Sequence, residues 1–153
     1  MTTPIRSMLV STSTLHGGVC DGLNALKDAH KQFVEAKLRA SFNDSLDIDD
    51  GLKAGHEQDY RWDYVLGHRD TSFVVGLEPH SAETGEVSTV IAKRQYARRQ
   101  LQAHMKPGKS IRAWFWVASG KVDFVPHERT VNRLNQEGIT FVGRMLQAKH
   151  LPK

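Results

Sequence analysis

Residues 63–78 have the sequence DYVLGHRDTSFVVGLE. Two short apolar runs flank a turn-type segment, residues 69–72, and this pattern predicts a β-hairpin with a four-residue loop. Asp63 opens the first run and Glu78 closes the second. Because side chains alternate across a strand, a register that pairs Val65 with Gly76 also places both carboxylates on one face. The opposite face would be apolar and would carry Tyr64, Leu66, Phe73, Val75 and Leu77.

This predicted pair of carboxylates has a chemical consequence. Two ionised carboxylates a few ångströms apart repel each other, so such a pair is either protonated or bridged by a divalent cation. We therefore expect Asp63 and Glu78 to be candidate metal ligands beside a sheet. Gly76, next to Glu78 on the same face, would leave room for an ion or for close backbone approach.

Length and composition limit the class of protein. The chain has 153 residues, 39% of them hydrophobic and 25% charged, which suits one soluble globular domain with a real core. We expect residues 1–18 to be a flexible N-terminal lead-in and residues 19–153 to form a single α/β domain. No apolar stretch approaches the roughly 20 residues of a membrane span, and the N-terminus lacks the apolar core of a signal peptide. These features predict a cytoplasmic protein.

Periodicity predicts the remaining elements. Apolar residues at helical spacing predict helices over 21–40 and 87–105, the second preceded by Thr84 as its cap. The apolar run 111–118 predicts a strand buried on both faces, followed by a turn at 119–121 and a short strand at 122–125. A helix capped by Thr130 and a strand at 139–142 complete the order, while residues 41–60 fit either a short helix or a strand. The fold class is α/β, a three-layer domain with a central mixed sheet flanked by helices.

Charge is unevenly distributed along the chain. The net charge is +4, and Lys93, Arg94, Arg98 and Arg99 are crowded on the predicted helix 87–105. Acidic residues are crowded instead within residues 44–50. A basic surface beside a separate acidic pocket suits a polyanion held near a cation, although a solvated charged surface is the ordinary alternative.

The order helix, hairpin with Asp then Glu, helix and apolar strand resembles the PD-(D/E)xK nuclease superfamily, the fold of restriction endonucleases and Holliday-junction resolvases. The resemblance covers roughly residues 20–143, with Asp63 and Glu78 matching the two acids of the motif. It implies a restriction-endonuclease-like fold in which both acids bind Mg²⁺ (or Mn²⁺), and the ion activates water for attack on a phosphodiester.

The chain departs from the superfamily pattern at its lysine. His80 stands two residues after Glu78, where the motif has lysine, and Pro79 intervenes. Some members of the superfamily carry the lysine on the following helix, which makes Lys93 and Arg94 the candidates here. Arg94 lies near the middle of the apolar stripe of that helix, where a charge needs a carboxylate partner or a role in the site. Lys93 lies at the margin of the stripe.

Three interpretations of function follow, and the last is a plain α/β interaction protein in which Asp63 and Glu78 are surface residues. The first is a Mg²⁺-dependent nuclease with Asp63, Glu78, His80 and Lys93 as catalytic residues and Arg94, Arg98 and Arg99 as nucleic-acid contacts. Its substrate would be nucleic acid, DNA in preference to RNA, and a homodimer would suit a nuclease that cuts both strands. The second is a non-catalytic nucleic-acid-binding or protein-interaction domain of the same fold, which the altered lysine element favours.

Overall fold

One open sheet of six strands organises the part of the chain that the computed structural model describes, residues 2–83, 85–122 and 128–153. The first four strands pair with one another antiparallel, and the fifth and sixth strands add to the fourth in parallel. In spatial order, which is also the chain order, the strands are β1 (Cys20–Asp21), β2 (Phe42–Asp47), β3 (Tyr64–His68), β4 (Val74–Ala82), β5 (Ala113–Val122) and β6 (Ile139–Phe141).

Helical segments cover both faces of the sheet and bury two apolar clusters. The larger cluster includes Trp62, Trp114 and Trp116 and lies beneath the longest helix. The smaller cluster includes Tyr64 and Phe115 on the other face. The helices are α1 (Pro4–Met8), α2 (Asp28–Lys31), α3 (Ile48–Gly51), α4 (Glu86–Gln102) and α5 (Glu128–Gln136), with 3₁₀-helices at Thr14–Gly18, Ala36–Ser41 and Ala148–His150. None of the helices in the described ranges is long and apolar enough to cross a membrane.

The predicted hairpin is confirmed, including its register. Val65 pairs with Gly76 and Gly67 pairs with Val74 in the antiparallel ladder of β3 and β4. The backbone N–H of His68 donates to Phe73 O at 2.8 Å, which leaves residues 69–72 as the connecting loop. Tyr64, Leu66, Val75 and Leu77 are buried together on one face as predicted, whereas Phe73, predicted on the same face, is only partly buried and lies outside that cluster.

The predicted long helix over residues 21–40 is wrong. The chain there forms β1, the four-residue α2 and a 3₁₀-helix, Ala36–Ser41. Gly22 adopts a φ of +54°, which an α-helix excludes. The apolar residues that suggested a helical stripe are nevertheless buried against the sheet, because short turns bring them to the same face: Leu23, Leu26, Val34 and Leu38.

The expected flexible lead-in, residues 1–18, is instead packed over its described part. Ile5 and Leu9 are buried in the larger cluster. The Ile5 N–H donates to Asp44 Oδ2 at 2.8 Å, so a buried carboxylate on β2 holds the first turn of α1. The described residues before β1 thus belong to the same packed domain as the sheet.

The later elements agree with prediction apart from their boundaries. Helix α4 and strand β6 are found where expected, and residues 42–47 of the undecided segment form a strand. Strand β5 continues through the predicted turn at 119–121, because Val122 still pairs with Ala82 beyond a shift of register. Helix α5 begins at Glu128, so Thr130 lies inside it rather than at its cap. The predicted cap Thr84 and residues 123–125 of the predicted short strand lie outside the described residues.

Candidate active site

The two predicted acids meet beneath α4. Asp63 directly precedes β3, and its backbone N–H donates to Glu78 Oε1 at 2.9 Å. The Glu78 side chain is fully buried, whereas 24% of the Asp63 side chain is exposed. Glu78 therefore forms the floor of the site and Asp63 lies at its opening, which is the juxtaposition that the hairpin register predicts.

Lys93 joins these two acids from above. The helix places its Nζ in hydrogen-bond contact with Glu78 Oε2 and 3.5 Å from Asp63 Oδ1. Only 14% of the lysine side chain is exposed. A buried carboxylate is costly unless it is paired, and this ammonium supplies the pairing. Of the two candidate helix residues, the structure brings Lys93 and not Arg94 into the acidic site.

Burial and charge determine the protonation of this cluster. Burial, followed by the charge of Glu78, raises the pKa of Asp63 to about 7, although Lys93 acts in the opposite direction. For Lys93, burial lowers the pKa, but the charges of Glu78 and Asp63 outweigh it and the net pKa is raised. The lysine is therefore cationic, and Asp63 is a carboxyl group that exchanges its proton near neutral pH.

His80 extends the site along β4. It shares the face of Glu78, with its Nδ1 3.4 Å from Glu78 Oε2 and its Nε2 2.9 Å from Glu86 Oε2. The hydrogen bond to Glu78 raises the pKa of His80, as does the bond to Glu86, while burial opposes both. Glu86 begins α4 and was not among the predicted site residues. Its position as an acid in the first turn of the helix is the sequence feature that could have indicated it.

A second pair of charged residues borders the opening. Arg61 Nε donates to Asp49 Oδ1 at 2.9 Å, and the charge of Asp49 contributes to the raised pKa of Asp63. The sequence shows the acidic run that contains Asp49, but it does not indicate that this run lies next to the site. The connection arises because Asp49 N–H donates to Asp63 O at 3.3 Å, which draws α3 to the start of β3.

Asp63 and Glu78 are the two residues of this site that could act as metal ligands. Within the described ranges, no group of three or more His, Cys, Asp and Glu residues is arranged to hold a metal. Mg²⁺ commonly keeps several waters and takes one or two carboxylates from the protein, and Asp63 and Glu78 fit that requirement. Lys93 contacts the same two carboxylates, so an ion bound there would replace some of the contacts that Lys93 makes.

Gly76 does not provide the predicted space for an ion. A Cβ atom at this position would lie 2.6 Å from Trp114 Cε3 and 2.9 Å from Trp62 Nε1. The two indole rings meet edge to face, with centroids 5.0 Å apart. Glycine is therefore needed here for close approach of aromatic rings, and Trp62 and Trp114 are core residues.

The three predicted nucleic-acid contacts lie away from the acidic site. Arg94 has its guanidinium carbon 5.6 Å from the centroid of the Trp114 ring, and burial lowers its pKa. Among the described residues its Nε is buried without a hydrogen-bond partner, and a carboxylate, that of Glu137, acts on the pKa of Arg94 through its charge. Arg94, Arg98 and Arg99 together line a groove of about 820 Å³ on α4.

No protein-family model matches this chain, and no curated protein or solved structure matches it either. The residues and geometry of the site therefore carry the functional argument.

Proposed function

We propose that this protein is a metal-dependent phosphodiesterase acting on nucleic acid, a divergent nuclease of the PD-(D/E)xK type with a restriction-endonuclease-like fold. The observation that carries the proposal is the contact of Lys93 with both Glu78 and Asp63. Two acids from a hairpin and one lysine from the next helix are the three groups that this chemistry uses. Helix α4 supplies, through Lys93, the lysine that the motif has at the position of His80.

Each residue has a role that follows from its position. Asp63 and Glu78 would hold Mg²⁺ or Mn²⁺, which when bound would polarise the phosphodiester and lower the pKa of water. Lys93 would orient the attacking water and offset negative charge that develops on the phosphate. His80 would hold Glu78 through Nδ1 and exchange a proton through Nε2 with Glu86 at the edge of the site.

The proposed substrate is nucleic acid, and DNA in the first instance. The chain is basic overall, with a net charge of +4. The acidic site and the arginine groove share one helix, because Arg94 directly follows Lys93. Successive helical residues point about 100° apart, so α4 presents a cation to the acids on one flank and to a polyanion on the other. This arrangement supports a substrate whose phosphate chain extends beyond the scissile bond.

Cleavage of labelled DNA tests the proposal. Purified native protein with Mn²⁺ or Mg²⁺ should cut single-stranded, double-stranded or branched DNA, and chelation of the ion should stop the reaction. Glu78→Gln should abolish cleavage, and Lys93→Met should abolish it with DNA binding retained, under conditions in which urea unfolding shows both variants to be folded. Asp28→Asn is the control, since it also removes one carboxylate, from a side chain that is 99% exposed and pairs with Lys31 at 3.2 Å. Cleavage that persists in Glu78→Gln would contradict the proposal.

A non-catalytic domain of the same fold is the second candidate. The lysine already neutralises the buried Glu78, and the donor set offers a metal only two carboxylates, which is consistent with a structural ion pair. This candidate predicts salt-dependent binding of nucleic acid, or binding of a protein partner, without cleavage under any divalent ion. The cleavage assay described above separates the two candidates directly.

A further inference from the structure

Two grooves meet beside the connection between α4 and β5. The helix groove, of about 820 Å³, is lined by Arg94, Arg98 and Arg99 of α4 together with Trp114. The turn groove, of about 690 Å³, lies between the start of α1 and the β3–β4 loop and is lined by Arg69 and Arg112, among others. Lys109 and Ser110 line both grooves. The two grooves therefore share a wall and follow one another along the surface.

The charge of these grooves has one sign. Six cations line them, and no Asp or Glu is found among their described lining residues. Over the ranges that the structure describes, Arg69 is the one of the six with an ion pair to a carboxylate, its neighbour Asp70 at 3.1 Å. Like charges brought together repel: burial and then the charge of Arg98 lower the pKa of Arg94, while the charge of Glu137 opposes them. An anionic ligand would remove that repulsion.

Aromatic rings hold three of the arginines in place. The guanidinium carbon of Arg99 lies 4.7 Å from the centroid of the Tyr96 ring, and that of Arg112 lies 4.9 Å from the Phe73 ring. Arg94 is held in the same way over Trp114. A guanidinium fixed over a ring keeps the N–H groups at its edge available for phosphate oxygens. These arginines therefore lose less side-chain entropy on binding than mobile surface lysines would.

We propose that the helix groove and the turn groove form one continuous track for single-stranded nucleic acid, with Lys109 and Ser110 at its junction. The inference rests on the proposed function for the class of ligand. It adds a second contact region, around Arg69 and Arg112, and it defines the strand state of the ligand. The track accepts an extended phosphate chain because its cations follow one another from one groove into the next.

The lining chemistry favours nucleic acid over other polyanions. Hydroxyl groups of Thr71, Ser72 and Ser110 line the track beside the cations and suit contacts to phosphate and sugar oxygens. Arginine planes and the partly exposed ring of Phe73 give bases a surface for stacking, which is the usual means of binding single strands without sequence preference. A polyanion without bases would interact only with the cations of the track.

Fluorescence anisotropy of labelled oligothymidylate with the full chain tests the track. One charge reversal is made in each part: Arg98→Glu in the helix groove, Arg112→Glu in the turn groove and Lys109→Glu at the junction. Lys37→Glu is the matched control, since it makes the same change of charge on the 3₁₀-helix Ala36–Ser41, with 78% of its side chain exposed. Urea unfolding shows that each variant is folded.

Each of the three track variants should weaken binding several-fold and lower the salt slope by about one, and Lys37→Glu should stay within about twofold of native. Weakening in Arg98→Glu alone would overturn the continuous track and leave the proposed nuclease untouched. Tighter binding of a duplex would overturn the single-strand assignment. If inorganic polyphosphate competed as well as the oligonucleotide at equal phosphate concentration, nucleic acid would be overturned as the occupant of the track. Loss of metal-dependent cleavage would bear only on the proposed function.

Discussion

Lys93 of α4 donates a hydrogen bond to Glu78, a fully buried carboxylate in the middle of β4. This contact joins the longest helix to the sheet at the point where Asp63 also arrives from β3. The lysine therefore has a structural role, which is to neutralise a buried charge, and the proposed function gives it a catalytic role as well. The two roles have different consequences when the residue is changed.

Removal of the ammonium should destabilise the protein strongly. Lys93→Met keeps the apolar stem but leaves Glu78 buried without its cation, and breaking a buried pair in this way costs about 3–5 kcal/mol. Urea unfolding at neutral pH measures the loss. Lys37→Met is the matched control, because 78% of the Lys37 side chain is exposed in its pair with Glu35, and pairs at the surface contribute about 0–1 kcal/mol. Equal losses in the two variants would contradict the account of the buried pair.

Asp63 should make the folded state less stable as the pH rises. Its folded pKa is raised to about 7 from 3.8, so between these values the native state binds more protons than the unfolded state. Stability from this group is therefore greatest at low pH and is lost as the pH rises through about 7. Asp63→Asn should show a smaller decline in unfolding free energy between about pH 5 and pH 8 than native protein. Identical pH profiles would show that Asp63 does not titrate as described.

The hairpin and its acids were predictable because a period of two is a local property. Residues 63–78 specify which side chains share a face, and the observed register agrees with the pairing of Val65 with Gly76. The lysine that contacts both acids was predictable only as one of two residues. Lys93 and Arg94 are neighbours on the helix, and the choice between them depends on which strand lies under each side chain.

Other features depend on contacts that no local pattern contains. Residues 21–40 carry apolar side chains at helical spacing, yet Gly22 with positive φ and the pairing of Cys20 with Ser45 divert the chain. Residues 2–18 show no periodicity, but Ile5 is held by the buried Asp44, a partner that is remote in sequence. The basic track likewise combines α4 with the β3–β4 loop, and only the folded chain brings them together.

Glu86 should control the protonation of His80. Its carboxylate lies 2.9 Å from His80 Nε2 and accepts a hydrogen bond from it. The bond to Glu78 has the largest effect in raising the pKa of His80, and the bond to Glu86 raises it further. Glu86→Gln should therefore lower the His80 pKa, which an NMR titration of the imidazole ring measures directly. Glu137→Gln makes the same change of charge elsewhere and should leave the value unchanged. A similar decrease in both variants would indicate a general effect of net charge.

Gly76→Ala should destabilise the protein by overpacking. The added methyl group would approach Trp114 to 2.6 Å and Trp62 to 2.9 Å, and overpacking of this kind costs about 1–3 kcal/mol. Gly17→Ala is the control, since a Cβ atom there meets nothing within 4 Å. Thermal unfolding should show a clearly lower midpoint for Gly76→Ala alone. An unchanged midpoint would mean that the two indole rings adjust freely.

The central claim is that Asp63 and Glu78 together hold a divalent cation. The most direct measurement is the thermal unfolding midpoint of native protein and of Asp63→Asn, each with and without Mn²⁺. A ligand at about 100 times its dissociation constant stabilises the state that binds it by about 2.7 kcal/mol, so the native midpoint should rise and that of Asp63→Asn should not. No rise in the native protein, or an equal rise in both, would contradict the claim.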